Sequence, residues 1–288
     1  MAKPVTSLKV IDKESELTPQ TGPLAATAIL SARSTARNQD QKPRWLTVSS
    51  PKGGSGKTTT VVNLAVFAAH AGLSVAILDT DLQESAKDWW DLRPDDAPKI
   101  HMVGQDLKDI KQAIRRVQEI RGLDLVIVDT PTAVEYLPDE TAALLELSDL
   151  VLVPSTAGRP DVKSVMGWMA FLKSRKIRAA YVINRANSRA TVPSRLKPVS
   201  AKTVRGKMVP DHSSPDMDYD SPLMGTVTFR AAQRKLNKSG VLCPFPIRQL
   251  EDIQKTHEVG VGVLEMNRAK GADDFEAVWD FVSNMLGL

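Results

Sequence analysis

The sequence predicts an α/β fold: a mostly parallel, twisted sheet with helices on both faces, stacked in three layers. Three observations predict it. The short runs 74–78, 123–128 and 150–153 are almost wholly apolar, without alternation, as in strands covered on both sides. Between them lie segments with apolar residues at helical spacing, and strands alternating with helices imply βαβ units. Asp79 and Asp129 each follow one of the apolar runs directly. That places both at the carboxyl edge, where such sheets hold ligands.

The elements follow in order. Residues 45–49 read as a strand and 58–71 as a helix, with Val62, Ala65, Val66 and Ala69 on one face and Gly72 as its stop. The run 74–78 is a strand. Residues 107–120 are helical through Ile110, Ile114 and Val117, and 123–128 form the next strand. A helix over 141–147, a strand over 150–153, a helix over 162–173 and a strand over 179–183 continue the alternation. The stretch 185–210 then breaks it, with seven Lys/Arg and no acid, and 211–222 is acidic and turn-rich. A basic helix over 226–239 closed by Gly240, a strand-like segment over 244–247 and a final helix over 274–286 complete the chain.

Hydrophobic residues are 42 % and charged residues 25 % of the 288, an ordinary balance for a globular protein. The organisation expected is a flexible N-terminal extension, 1–43, and one domain, 44–288, carrying a basic, flexible insertion around 185–222. Within the extension 24–36 has the makings of a short helix, and the arm reads either as a tail or as a contact for DNA or a partner. A single cysteine, Cys243, excludes an internal disulfide and a cysteine-only metal site, and fits a reducing compartment. No apolar run reaches the roughly 18–20 residues of a membrane span. The first twenty residues lack the apolar core of a signal peptide, so the expected location is cytoplasmic.

The chemistry concentrates in residues 49–60, "SSPKGGSGKTTT". Glycines let backbone N–H groups turn inward and approach phosphate oxygens, and the helix that follows adds its positive end. Lys57 then faces β/γ-phosphate charge, and the Thr58 hydroxyl suits Mg²⁺. The standard pattern G-x-x-x-x-G-K-[ST] fails by one residue, because Pro51 stands at the first glycine position. The loop has instead Lys52, Gly53, Gly54, Ser55, Gly56, Lys57, Thr58 and Thr59.

This loop resembles the deviant Walker A motif of the ParA/MinD family of P-loop ATPases, and the resemblance extends over about 44–286. The segment "VAILDTDLQESAKDWW" (75–90) resembles the family's D-x-D-x-Q motif, with Leu82 where many members have proline. "LVIVDTPT" (125–132) is similar to its Walker B strand, and "SDLVLVPSTAGRPDVKSV" (148–165) to the strand and loop after it. The match of 246–270 to the family's C-terminal nucleotide-side segment is looser. The resemblance implies a P-loop NTPase fold, Rossmann-like in its layers, with ATP and Mg²⁺ as cofactors and slow hydrolysis. It implies that Lys52 reaches the nucleotide of a partner subunit, in a homodimer closed around ATP, where an added cation offsets facing phosphate charge. It also implies that Asp81 positions the attacking water, Asp79 supports the Mg²⁺ shell and Asp129 holds Mg²⁺ through water. A carboxylate at a strand end can also be only a helix cap, a reading open to each acid singly but weaker for all three beside such a loop. Asn184 is a candidate base-reading amide or a turn residue, and Pro246 and Arg248 are candidates to flank the base.

Across 185–241 there are eleven Lys/Arg against four Asp/Glu, a balance that suits sequence-independent phosphate contact. A solvated insertion has the same composition. The resemblance implies a DNA partition ATPase: ATP-dimerised, nucleoid-associated on non-specific DNA, and released when a ParB-like or adaptor DNA-binding protein stimulates hydrolysis. A MipZ-like division-site or cargo-positioning ATPase is the alternative, and a metabolic P-loop ligase or kinase a more distant one. MinD-like membrane attachment is not expected. The C-terminal helix has Phe275, Val278, Phe281, Val282 and Met285 on one face, but its polar face is acidic, which anionic lipid repels. The lone Cys243 gives no sign of the bridging cysteines of an iron–sulfur reductase, and Trp89 and Trp90 read as packing of the second motif's loop onto the core, with a partner contact as the alternative.

Overall fold

The computed structural model describes residues 42–132, 137–187 and 226–288, and the backbone of 201–204 and 207–210. The expected N-terminal extension falls almost entirely outside the described residues, as does most of 185–222. Within the latter, Ala201–Val204 (β7) and Lys207–Pro210 (β8) pair as an antiparallel hairpin.

The main sheet has seven strands: β1 (Arg44–Val48), β2 (Val75–Asp79), β3 (Ile100–Gly104), β4 (Leu125–Asp129), β5 (Leu150–Ser155), β6 (Ala179–Ile183) and β9 (Val241–Leu242). Their order is β3-β2-β4-β1-β5-β6-β9, and every neighbouring pair is parallel. The helices are α1 (Lys57–His70), α2 (Ser85–Asp91), α3 (Ile110–Gln118), α4 (Pro138–Leu147), α5 (Arg159–Ser174), α6 (Val227–Ser239), α7 (Glu251–Val259) and α8 (Ala272–Leu286). They cover both faces. Leu46, Val48, Ile77, Ile127 and Leu152 pack with α1 and α8 on one side. Trp45, Leu78, Val126 and Val128 pack with α3 and α4 on the other, beside Val151, Val153 and Ile183 against α5 and α6. Alternate residues of one strand thus face opposite layers, which is why the strands carry no polar alternation.

Several expectations need correction. The spacing in the first helix predicts one apolar face, yet Thr60–Ala68 is buried all round, because the C-terminal segment covers the side turned from the sheet. A Cβ on Gly262 would lie 2.8 Å from Val66 Cγ1, so that segment runs directly against the helix. The strand expected at 244–247 is displaced to Val241–Leu242. Pro244 and Pro246 have no N–H to donate, and only Cys243 and Ile247 reach the β6 carbonyls of Tyr181 and Ile183, at 2.8 and 2.9 Å. The helix expected from 107 opens as a 3-10 turn, Leu107–Asp109. The sequence pattern does not predict α2, β3 or α7.

The final helix packs as expected. Phe275, Val278, Trp279, Val282 and Leu286 are buried in the α1 layer, with Phe281 and Met285 partly covered. Among the described residues no helix is long and apolar enough to cross a membrane.

Candidate functional site

Three strand ends build the site. Asp79 is the register partner of Asp129 on β2 and β4, and Asp129 is the partner of Val48 on β1. The two acids and the root of the glycine loop are therefore consecutive along one carboxyl edge. A threonine after each acid fastens that edge. Thr80 Oγ1 donates to the Asp129 carbonyl at 2.7 Å, and Thr130 Oγ1 to the Val48 carbonyl at 3.0 Å. The repeated Asp-Thr pair was the sequence signal for this staple, and sequence reasoning passed over it.

The loop holds its two lysines at different depths. Lys57 opens α1 and is 7 % exposed, while Lys52 is half-buried at the rim and Gly53 and Gly54 are exposed. Burial pushes the Lys57 ammonium below the usual lysine range, and the carboxylates of Asp129 and Asp81 act against that fall. Gly56 has φ 84°, and a Cβ there would sit 2.1 Å from Asn184 Nδ2. Only glycine fits both the left-handed backbone and that close approach. No side chain caps the N-terminus of α1 and no acid occupies its first turn, so its positive end faces the loop unneutralised.

Asp129 is 1 % exposed, and neither carboxylate oxygen makes a hydrogen bond of good geometry among the described residues, the Thr58 hydroxyl being a nearby donor that is not aligned for one. Burial pushes its carboxyl up to about 7, against the Thr58 hydroxyl and with the repulsion of Asp79 adding to the rise. Two bare buried oxygens beside a threonine hydroxyl fit a hard, oxygen-seeking cation. No cluster of three or more His, Cys, Asp or Glu suited to a metal occurs among the described residues. Mg²⁺ in phosphate sites takes one or two carboxylates and completes its shell with phosphate and water.

Asp79 is placed differently. Its Oδ1 accepts the Asp81 N–H at 3.1 Å, and its Oδ2 accepts those of Ala86 and Lys87 at 3.0 and 3.1 Å. It thus caps α2 and fixes the turn that carries Asp81, the helix-cap role that the sequence left open. Burial raises its carboxyl above the usual range, against these three donors. Asp81 is half-buried at the rim beyond the strand end and accepts the Gln83 N–H at 3.1 Å.

Asn184, 4 % exposed at the end of β6, turns its amide toward the loop: Nδ2 lies 3.4 Å from the Gly56 carbonyl. A cleft beside the loop is lined by Gly56, Thr59, Asn184, Arg185, Arg248 and Leu250 among others. Arg248 belongs to this wall, but Asp274 holds its guanidinium, with Nε and a terminal nitrogen within 2.8–3.0 Å of the carboxylate. Pro246 is buried and is not among the lining residues. Sequence reasoning also missed His257 on α7, whose Nε2 meets Thr59 Oγ1 at 3.1 Å.

Known proteins resemble this chain in sequence and in fold. The sequence model of the CobQ/CobB/MinD/ParA nucleotide binding domain matches residues 46–210. The chain is 36 % identical over 120 residues to the maintenance of carboxysome distribution protein A of Gloeobacter kilaueensis, covering 42 % of this chain and 52 % of that protein. It is 27 % identical over 158 residues to the chromosome-partitioning ATPase Soj of Thermus thermophilus, covering 46 % and 62 %. The matches thus span little more than half the length of these relatives. In fold it is similar to the cell division ATPase MinD of Pyrococcus furiosus, with TM-score 0.58 at 15 % identity over 85 % of this chain and 100 % of that one.

Proposed function

The chain belongs to the CobQ/CobB/MinD/ParA nucleotide-binding family, and from that premise we propose that it is an ATPase of the partition type. It binds ATP with Mg²⁺, dimerises, holds non-specific DNA, and lets go when a ParB-like or adaptor protein stimulates hydrolysis. The observation that carries this reading is the pair of lysines at two depths in one loop, Lys57 buried and Lys52 at the rim. A cation at the rim faces outward and suits a neighbour's triphosphate.

The backbone of Gly53–Thr59 and the α1 N-terminus bind the phosphates, and Lys57 neutralises their charge. Thr58 and Asp129 would hold the ion, which when bound shields the phosphate oxygens during transfer. Asp81 orients water toward the terminal phosphate, and Asp79 acts by ordering the turn that presents Asp81. Asn184 lies on the nucleoside side of the loop. Intrinsic turnover is slow, because a switch has to persist to act.

DNA contact falls to basic residues within 185–241. In α6 the side chains of Arg234, Lys235 and Lys238 are at least partly exposed, and Lys173 of α5 donates to the Ser239 carbonyl at 2.6 Å, bringing a second basic helix end alongside. The protein is then a nucleoid-associated cytoplasmic one, with no membrane anchor in α8, whose apolar face is covered. Cargo positioning other than DNA segregation is the second reading, favoured by the likeness to a carboxysome distribution protein.

The test is duplex DNA retention with ATP and with ADP at two salt concentrations. The reading expects retention with ATP alone, falling steeply with salt. Equal retention in both nucleotide states, or indifference to salt, contradicts it.

A further inference from the structure

Arg185 opens the basic stretch assigned to DNA, but its placement points elsewhere. It follows Asn184 at the end of β6 with φ 51°, a left-handed conformation that a long side chain adopts only under backbone strain. The Asn184 Oδ1 accepts the Arg185 N–H at 2.7 Å and secures the turn. The turn aims the side chain back over the loop: Arg185 NH1 lies 3.7 Å from the position a Cβ on Gly54 would take. Arg185 lines the same cleft as Gly56, Thr59 and Asn184.

Charge points the same way. The other arginine of the cleft, Arg248, is tied to Asp274 by three short hydrogen bonds. No acid pairs with Arg185 among the described residues, and the residue is exposed. A strained backbone that swings an unpaired guanidinium over a phosphate-type loop, beside a helix end with no acid in its first turn, is built for an anion in that cleft.

We infer that Arg185 is a nucleotide-contacting residue: its guanidinium binds the polyphosphate of the ligand from the outer side of the loop and sets affinity for nucleoside di- and triphosphates. It is not a DNA contact. This rests on the nucleotide-site reading above and adds a residue and a ligand preference to it. Charge-assisted hydrogen bonds to phosphate make its removal worth about tenfold or more in affinity.

The test is titration of the full chain with ATP, ADP and AMP, for wild type, Arg185→Ala, Arg185→Lys and Arg185→Gly, together with duplex retention at saturating ATP. Arg185→Ala and Arg185→Gly should weaken ATP and ADP about tenfold and AMP far less, while Arg185→Lys recovers part of the affinity. DNA retention at saturating ATP, and its salt slope, should stay at the wild-type value. Glycine tolerates the left-handed backbone, so Arg185→Gly keeps its thermal midpoint and separates the missing guanidinium from misfolding. Wild-type ATP affinity in Arg185→Ala and Arg185→Gly overturns the inference, as does a reduced salt slope for DNA with ATP affinity unchanged. A wild type that binds no ATP sinks the functional reading itself, which is a different result.

Discussion

Asp79 accepts the backbone N–H of Asp81 at 3.1 Å, so the acid that ends β2 fixes the acid proposed to handle the attacking water. Asp79→Ala removes an acceptor from three backbone donors, and a buried donor left bare costs about 1–3 kcal/mol. The variant should lower the thermal midpoint and slow hydrolysis at least tenfold while ATP affinity changes little. Asp79→Asn, which keeps one oxygen, should fall between. Rates and Kd measured on the same preparations check this. A loss confined to ATP affinity would instead place Asp79 on the nucleotide.

Lys57 is the deep cation of the loop. Lys57→Ala should abolish ATP binding altogether, read by calorimetry, because no other buried lysine stands in the loop and the α1 end alone contributes a weaker field.

A partly buried ion network at the C-terminal end of α1 loses strength in acid. Glu265 accepts from Arg93 at 2.7 and 3.0 Å, from His70 at 3.0 Å and from the Gly262 N–H at 2.8 Å. Burial alone would raise its carboxyl, but His70, Arg93 and Gly262 outweigh it and hold it at about 2, from an ordinary 4.5. The folded value lies below the unfolded one, so the unfolded chain binds more protons between them. This contribution is full above about 4.5, shrinks as pH falls, and is gone below about 2. Chemical denaturation from pH 6 to 2.5 should show that decline, and Glu265→Gln should flatten it. Arg93→Ala should cost about 3 kcal/mol at neutral pH, since it strands a buried carboxylate.

Charge on α6 should be read by salt. Removing Arg234 and Lys238 together should leave ATP hydrolysis without DNA unchanged. The slope of log K against log salt should fall by about 0.9 for each phosphate that is no longer neutralised. Filter retention across a salt series measures it. An unchanged slope moves the DNA surface elsewhere.

Much of this was legible in the sequence, for physical reasons. Strands covered on both faces announce themselves as apolar runs, so β2, β4, β5 and β6 were found within two residues. The placement of the glycine loop and of Asp79 and Asp129 at one sheet edge was legible because each directly follows an apolar run. β3 was not, since the edge strand Ile100–Gly104 has His101 and Met102 half-buried and shows no continuous apolar run. α2 is seven residues long and is held by Asp79 rather than by its own periodicity. The roles of Arg185 and Thr80 depend on which strand ends lie side by side, and that is a property of strand order, which local pattern does not encode.

Lys52 completing a second subunit's site is the relation on which the proposed function turns. Sizing of the purified chain with Mg²⁺ and a non-hydrolysable ATP analogue, beside Lys52→Ala with hydrolysis followed in parallel, tests it most directly. The wild type should shift from monomer to dimer only with the analogue, and the Lys52→Ala variant should bind ATP with wild-type affinity but not hydrolyse it. A wild type that stays monomeric with the analogue, or a variant with undiminished hydrolysis, contradicts that role.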